Sequence, residues 1–70
     1  MYYLLEYHQN LDGAYNTAIY TYDNEIDARA NMYSKMATLI TSGDYIGAFL
    51  QVVTPAGVPL YEIAWPEMIP

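Results

Sequence analysis

The apolar pattern of this chain changes period twice. From Tyr2 to Gln9 the residues alternate, with Tyr3, Leu5 and Tyr7 on one side and Tyr2, Leu4, Glu6 and His8 on the other. That is the two-residue period of a β-strand. Between Asp23 and Gly43 apolar residues recur instead at spacings of three and four, the period of an α-helix. After Tyr45 the alternation returns. One helical segment between two pairs of strand segments has to cover whatever sheet those strands build, so the pattern predicts an α+β fold of layout ββαββ.

Turn chemistry separates the segments. Asn10-Leu11-Asp12-Gly13 joins the first strand to a second at Ala14 to Tyr22, with Asp-Gly supplying the residue that tolerates positive φ. Asp23-Asn24-Glu25-Ile26-Asp27 offers a capping side chain and several acids to the exposed amides of a helix start. Ile26, Ala30, Tyr33, Ala37 and Ile40, with Met36 beside them, form the expected buried stripe, and Thr41-Ser42-Gly43 ends the helix. A third strand runs from Tyr45 to Thr54 and a fourth from Val58 to Trp65, joined by Thr54-Pro55-Ala56-Gly57. Gly47 marks a bulge or a close backbone approach, and Pro59 confines the fourth strand to an edge. Residues 1–70 thus read as a single domain with a short tail at 66–70. Joining both hairpins in one antiparallel sheet gives the strand order 2-1-3-4, with the helix on one face.

Composition then limits the function classes. Seventy residues is close to the size at which one hydrophobic core becomes marginal, and small folds are usually supported by disulfides, a metal or oligomerisation. There is no cysteine and one histidine, so no cofactor or metal is expected, and oligomerisation or unusually efficient packing remains. The net charge is −6, and Arg29 and Lys35 are the whole basic complement. Direct nucleic-acid binding, which depends on neutralising phosphates, is not expected, nor is attraction to an anionic membrane. No apolar run has the length of a membrane span, and the opening residues lack a signal-peptide pattern; a soluble cytoplasmic protein is the expectation.

The strands carry more apolar surface than one helix hides. Ile46, Ala48, Leu50 and Val52 read as the helix-facing core, joined by Tyr3, Leu5, Tyr7, Ile63 and Tyr20. The opposite face would then hold Tyr2, Leu4, Ile19, Tyr45, Phe49, Val53 and Leu60, beside Glu6, His8, Gln51 and Glu62. A sheet apolar on both faces requires a second cover, and the expectation is a homodimer packed through that face. Trp65, Met68 and Ile69 near the tail are further interface candidates.

Candidate chemistry is sparse. Glu6 and His8 share a strand face but supply only two ligands, where a catalytic zinc takes three. Glu6 and Glu62 read as neighbours on the open face, without the cleft that acid–base catalysis needs. Ser34 and Ser42 lie on the helix, away from His8, and the four glycines are scattered rather than gathered in a phosphate loop. An enzyme is therefore not expected. Asp23, Glu25 and Asp27 serve as helix-start acids and form a candidate acidic contact for a basic partner.

In its opening hairpin Tyr2-Tyr3-Leu4-Leu5-Glu6-Tyr7-His8, its Asp12-Gly13 turn and its Tyr22-Asp23 step into the helix, the chain resembles small, acidic, cysteine-free accessory proteins of phages and other mobile elements. The resemblance covers residues 2–40 and is one of layout and composition. It implies a stoichiometric binder, of the kind that blocks host nucleases or defence systems or sequesters small molecules at subunit interfaces. The function expected is a non-enzymatic homo-oligomeric interaction protein that engages a host protein through an acidic, tyrosine-rich surface, as a phage-type accessory inhibitor does. A small-molecule-binding module with sites at subunit interfaces and a structural or assembly component are the alternatives.

Overall fold

In a computed structural model, which describes residues 1–66, the elements follow one another as β1 (Tyr2–Asn10), β2 (Tyr15–Tyr22), α1 (Glu25–Ser42), β3 (Tyr45–Val53) and β4 (Pro59–Trp65). The strands form one antiparallel sheet in the order β2-β1-β3-β4, and α1 lies across one face. The ββαββ layout, the strand order and the edge position of β4 all match the sequence reading.

Local chemistry accounts for the joints. Gly13 at φ 91° closes the first hairpin: its N–H donates to Asn10 O, and Asn10 N–H donates to Ala14 O. A side chain at that φ would be strained, which is why Asp-Gly occupies the site. The second hairpin repeats the device, with Gly57 N–H donating to Thr54 O and Thr54 N–H to Val58 O. Asn24 caps α1, its Oδ1 accepting from Asp27 N–H at 2.8 Å while its Nδ2 donates to the Asp27 carboxylate at 2.9 Å. Gly43 ends the helix in the left-handed conformation.

The core lies between α1 and the sheet. Leu4, Ala28, Met32, Leu50 and Val52 are fully buried, with Met36, Leu39 and Ala48 nearly so. The helix therefore presents Ala28, Met32, Met36 and Leu39, not the stripe expected from the sequence. Ile26 is 77% exposed, and Tyr33 and Ile40 are also exposed. At about 100° per residue the two stripes lie roughly a third of a turn apart. Arg29 and Lys35 flank the buried stripe, each lying over a tyrosine ring of a different edge strand, and these contacts fix the rotation.

The sheet faces also differ from expectation. Directly paired residues in an antiparallel sheet share a face. In β3, Ala48, Leu50 and Val52 face the helix as expected, and their partners across β1 are His8, Glu6 and Leu4. Tyr2, Leu4, Glu6 and His8 consequently lie beneath α1, while Tyr3, Leu5 and Tyr7 lie on the open face. Ile46 and Tyr45 are exchanged as well. The register shifts between Gln9 and Asn10, so that Ile46 becomes the extra residue of a bulge. Beyond it Tyr45 packs on the helix side, and Ile46 is 44% exposed. Gly47, beside the bulge, is also the site of a close approach: a Cβ there would meet Trp65 O at 3.2 Å.

The buried stripe is directly testable. Met32→Ala should lower the unfolding free energy in urea by about 2–5 kcal/mol, as cavity-forming core truncations do. Ile26→Ala should change it by no more than about 0.5 kcal/mol, as at an exposed site. The reverse ranking would restore the stripe expected from the sequence.

Candidate functional site

The helix side of the sheet is polar in places, but closed. Glu6 is 8% exposed, and its Oε2 lies 2.9 Å from His8 Nδ1; Tyr45 packs edge-on against the His8 ring at 4.6 Å between centroids. Lys35 Nζ lies 3.8 Å from the centroid of the Tyr20 ring. At the opposite edge the Arg29 guanidinium lies 4.7 Å from the Tyr61 centroid, and the Tyr61 hydroxyl donates to Glu25 at 3.3 Å. Both basic side chains of the protein thus clamp α1 to the sheet, one at each edge strand. A polar hollow of about 280 Å³ between α1 and β1 is lined by Glu6, Asn31, Ser34, Lys35, Thr38 and Leu39.

The other face of the sheet has no covering element among the described residues. β1 contributes Tyr3, Leu5 and Tyr7; β2 contributes Tyr15, Thr17, Ile19 and Thr21; β3 contributes Phe49 and Gln51. Leu5, Tyr7, Thr17, Ile19, Phe49 and Ala64 line an apolar hollow of about 640 Å³, together with Glu62. A neighbouring hollow of about 250 Å³ is walled by Tyr7, Tyr15, Ile46 and Phe49. The Tyr7 and Tyr15 rings pair at 5.1 Å between these hollows, and Ile19 is 67% exposed. Since Arg29 and Lys35 are both engaged on the helix side, the described open face carries no basic group and Glu62 is its one charged residue.

Of the interface residues expected from the sequence, Ile19 and Phe49 lie on the open face. Leu60 is exposed in the bulge where the β3–β4 register shifts, and Val53 pairs with Tyr3 but is buried. Leu4 is a core residue, and Tyr2, Tyr45 and Trp65 pack against the helix-side core, so these four are not on the open face. Met68 and Ile69 fall outside the described residues. Glu6 and Glu62 are not neighbours on one face, because Glu6 pairs with Leu50 beneath the helix whereas Glu62 pairs with Gln51. Within the acidic cluster, Asp27 accepts from the capping residue and Glu25 accepts from Tyr61.

The surface residues missed from the sequence are Leu5, Tyr7, Tyr15 and Ile46. The alternating period alone did not distinguish the two faces of β1, since both are apolar; only its pairing with β3 does. Among the described residues no three His, Cys, Asp or Glu side chains converge as a metal site would require, and no helix is long and apolar enough to cross a membrane. No protein-family model, curated protein or solved structure matches the chain.

Tyr20 supplies a pH test of the helix-side packing. Burial, then the negative charge of Glu6 and the proximity of Tyr45, push its phenol above the usual value. Above a pH of about 10 the unfolded chain therefore releases this proton before the folded one does, and stability falls as pH rises through that window. Tyr20→Phe removes this contribution, so its stability should decline less steeply than wild type as pH rises above the usual phenol range. Parallel slopes in urea titrations would remove Tyr20 from the alkaline response.

Proposed function

We propose that this protein is a non-enzymatic binding module that self-associates through the open face of its sheet, leaving its acidic, tyrosine-bearing surface to engage another protein. The observation that carries this reading is the apolar hollow formed by Leu5, Tyr7, Ile19, Phe49 and Ala64 on a face with no cover of its own. Soluble chains rarely leave contiguous apolar surface of this kind open. The aromatic and aliphatic character of the patch, poor in charge at its centre, is that of an interface core.

The charge distribution suggests the second partner. At a net −6, and with both cations held against tyrosine rings, an assembly of these chains presents a negative field that favours encounter with a basic protein surface. The resemblance to phage accessory proteins supports a host protein in that role and inhibition as the outcome. A small-molecule reading draws on the size of the hollow, which is within the range of ligand pockets. Such a ligand would be flat and uncharged or cationic, because the described open face offers no group to neutralise an anion.

Light scattering over a dilution series tests the self-association. Phe49→Glu should halve the native mass while the circular dichroism of the fold is retained. Tyr33→Glu, on the exposed side of α1, should leave the mass unchanged. A wild-type monomer at every concentration would reject the reading, and loss of association in Tyr33→Glu alone would move the contact to the helix.

A further inference from the structure

The sheet has two edges of opposite character. β4 begins at Pro59, carries Glu62 at its centre and is followed by Pro66; proline and charge are the usual means of keeping an edge from pairing. β2 has none of these. Its eight residues, Tyr-Asn-Thr-Ala-Ile-Tyr-Thr-Tyr, contain no charge, proline or glycine, and its register with β1 runs without a bulge from Tyr15 to Tyr22. The backbone groups it leaves free follow from the hairpin. Asn10 N–H bonds to Ala14 O, so the hydrogen-bonded pairs recur at Asn16, Ala18, Tyr20 and Tyr22, which face β1. The N–H and C=O groups of Tyr15, Thr17, Ile19 and Thr21 point outward, from a strand rich in the residue types that favour sheets.

We propose that β2 pairs antiparallel with β2 of a second copy about a two-fold axis at Ala18, joining two sheets edge to edge. Only the register centred on Ala18 matches all four outward-facing residues: Thr17 opposite Ile19 of the second copy, and Tyr15 opposite its Thr21. Each is a β-branched or aromatic cross-strand pair of the kind that stabilises sheets. Beneath the helices the two Ala18 side chains meet at the axis, a non-hydrogen-bonded position where strands approach most closely and a small side chain fits. No charge opposes another along the seam, although each chain carries a net −6. The contact is isologous and closes on itself, and it uses a different surface from the open face. With both contacts made, two joined sheets stack face to face in a closed tetramer with the helices outside.

Amide hydrogen exchange read residue by residue tests the edge, because face-to-face packing makes no hydrogen bonds to it. In wild type and in Phe49→Glu, the amides of Thr17 and Ile19 should exchange on the order of 100-fold more slowly than those of Glu62 and Ala64, the outward amides of the other edge. Thr17→Pro removes one outward donor and no β1–β2 bond, and should halve the native mass. The expected masses are four chains for wild type and two for Phe49→Glu. Fast exchange at Thr17 and Ile19 would overturn the proposal whatever the mass. Fast exchange in a wild-type dimer that Phe49→Glu splits would overturn it while leaving the open-face reading intact. Slow exchange in a dimer that Phe49→Glu leaves whole would uphold the edge and remove the face.

Discussion

The pairing of β1 with β3 determines most of this structure. Leu4 opposite Val52 and Glu6 opposite Leu50 place the even residues of β1 beneath the helix, and every other choice of face follows from that register. β1 is central, so its phase is transmitted to β2 through Leu4 and Tyr20 as well. A slip of one residue would bring Tyr3, Leu5 and Tyr7 under α1 and turn Leu4 outward. The cost of the observed register is a carboxylate in the core layer, offset by the 2.9 Å contact between Glu6 and His8. Its consequence is an open face more apolar than the side it replaced.

The scarcity of positive charge is tied to how the helix is held. A helix resting on Ala28, Met32, Met36 and Leu39 has a slender and adaptable contact stripe. Arg29 over Tyr61 and Lys35 over Tyr20 brace it at opposite edges of the sheet. With both cations in structural positions, the remaining surface is left to acids, tyrosines and amides. The packing of the helix and the acidic character of the remaining surface thus have a common origin.

The two sheet edges and the open face are the surfaces that the helix leaves uncovered among the described residues. A single helix covers one side of a four-stranded sheet. Among the described residues the other side has no cover, and the outward amides of β2 face away from the sheet, so both surfaces hold buried area and hydrogen bonds in reserve.

The sequence by itself determined the number, type and limits of the elements, because turn and cap signals act within a few residues: Asp12-Gly13, Asn24 with Asp27, and Gly43 each enforce a local backbone geometry. Strand order followed from the same local signals plus antiparallel connectivity. Faces did not. Both sides of β1 and two sides of α1 are apolar, so periodicity named the helix and the strand without orienting them. The bulge at Ile46 reversed one further pair of residues. Only tertiary contacts between segments distant in the chain, the β1–β3 register and the two cation–tyrosine clamps, decided which apolar stripe became core and which was left uncovered, because facing is a property of the pair and not of either segment alone.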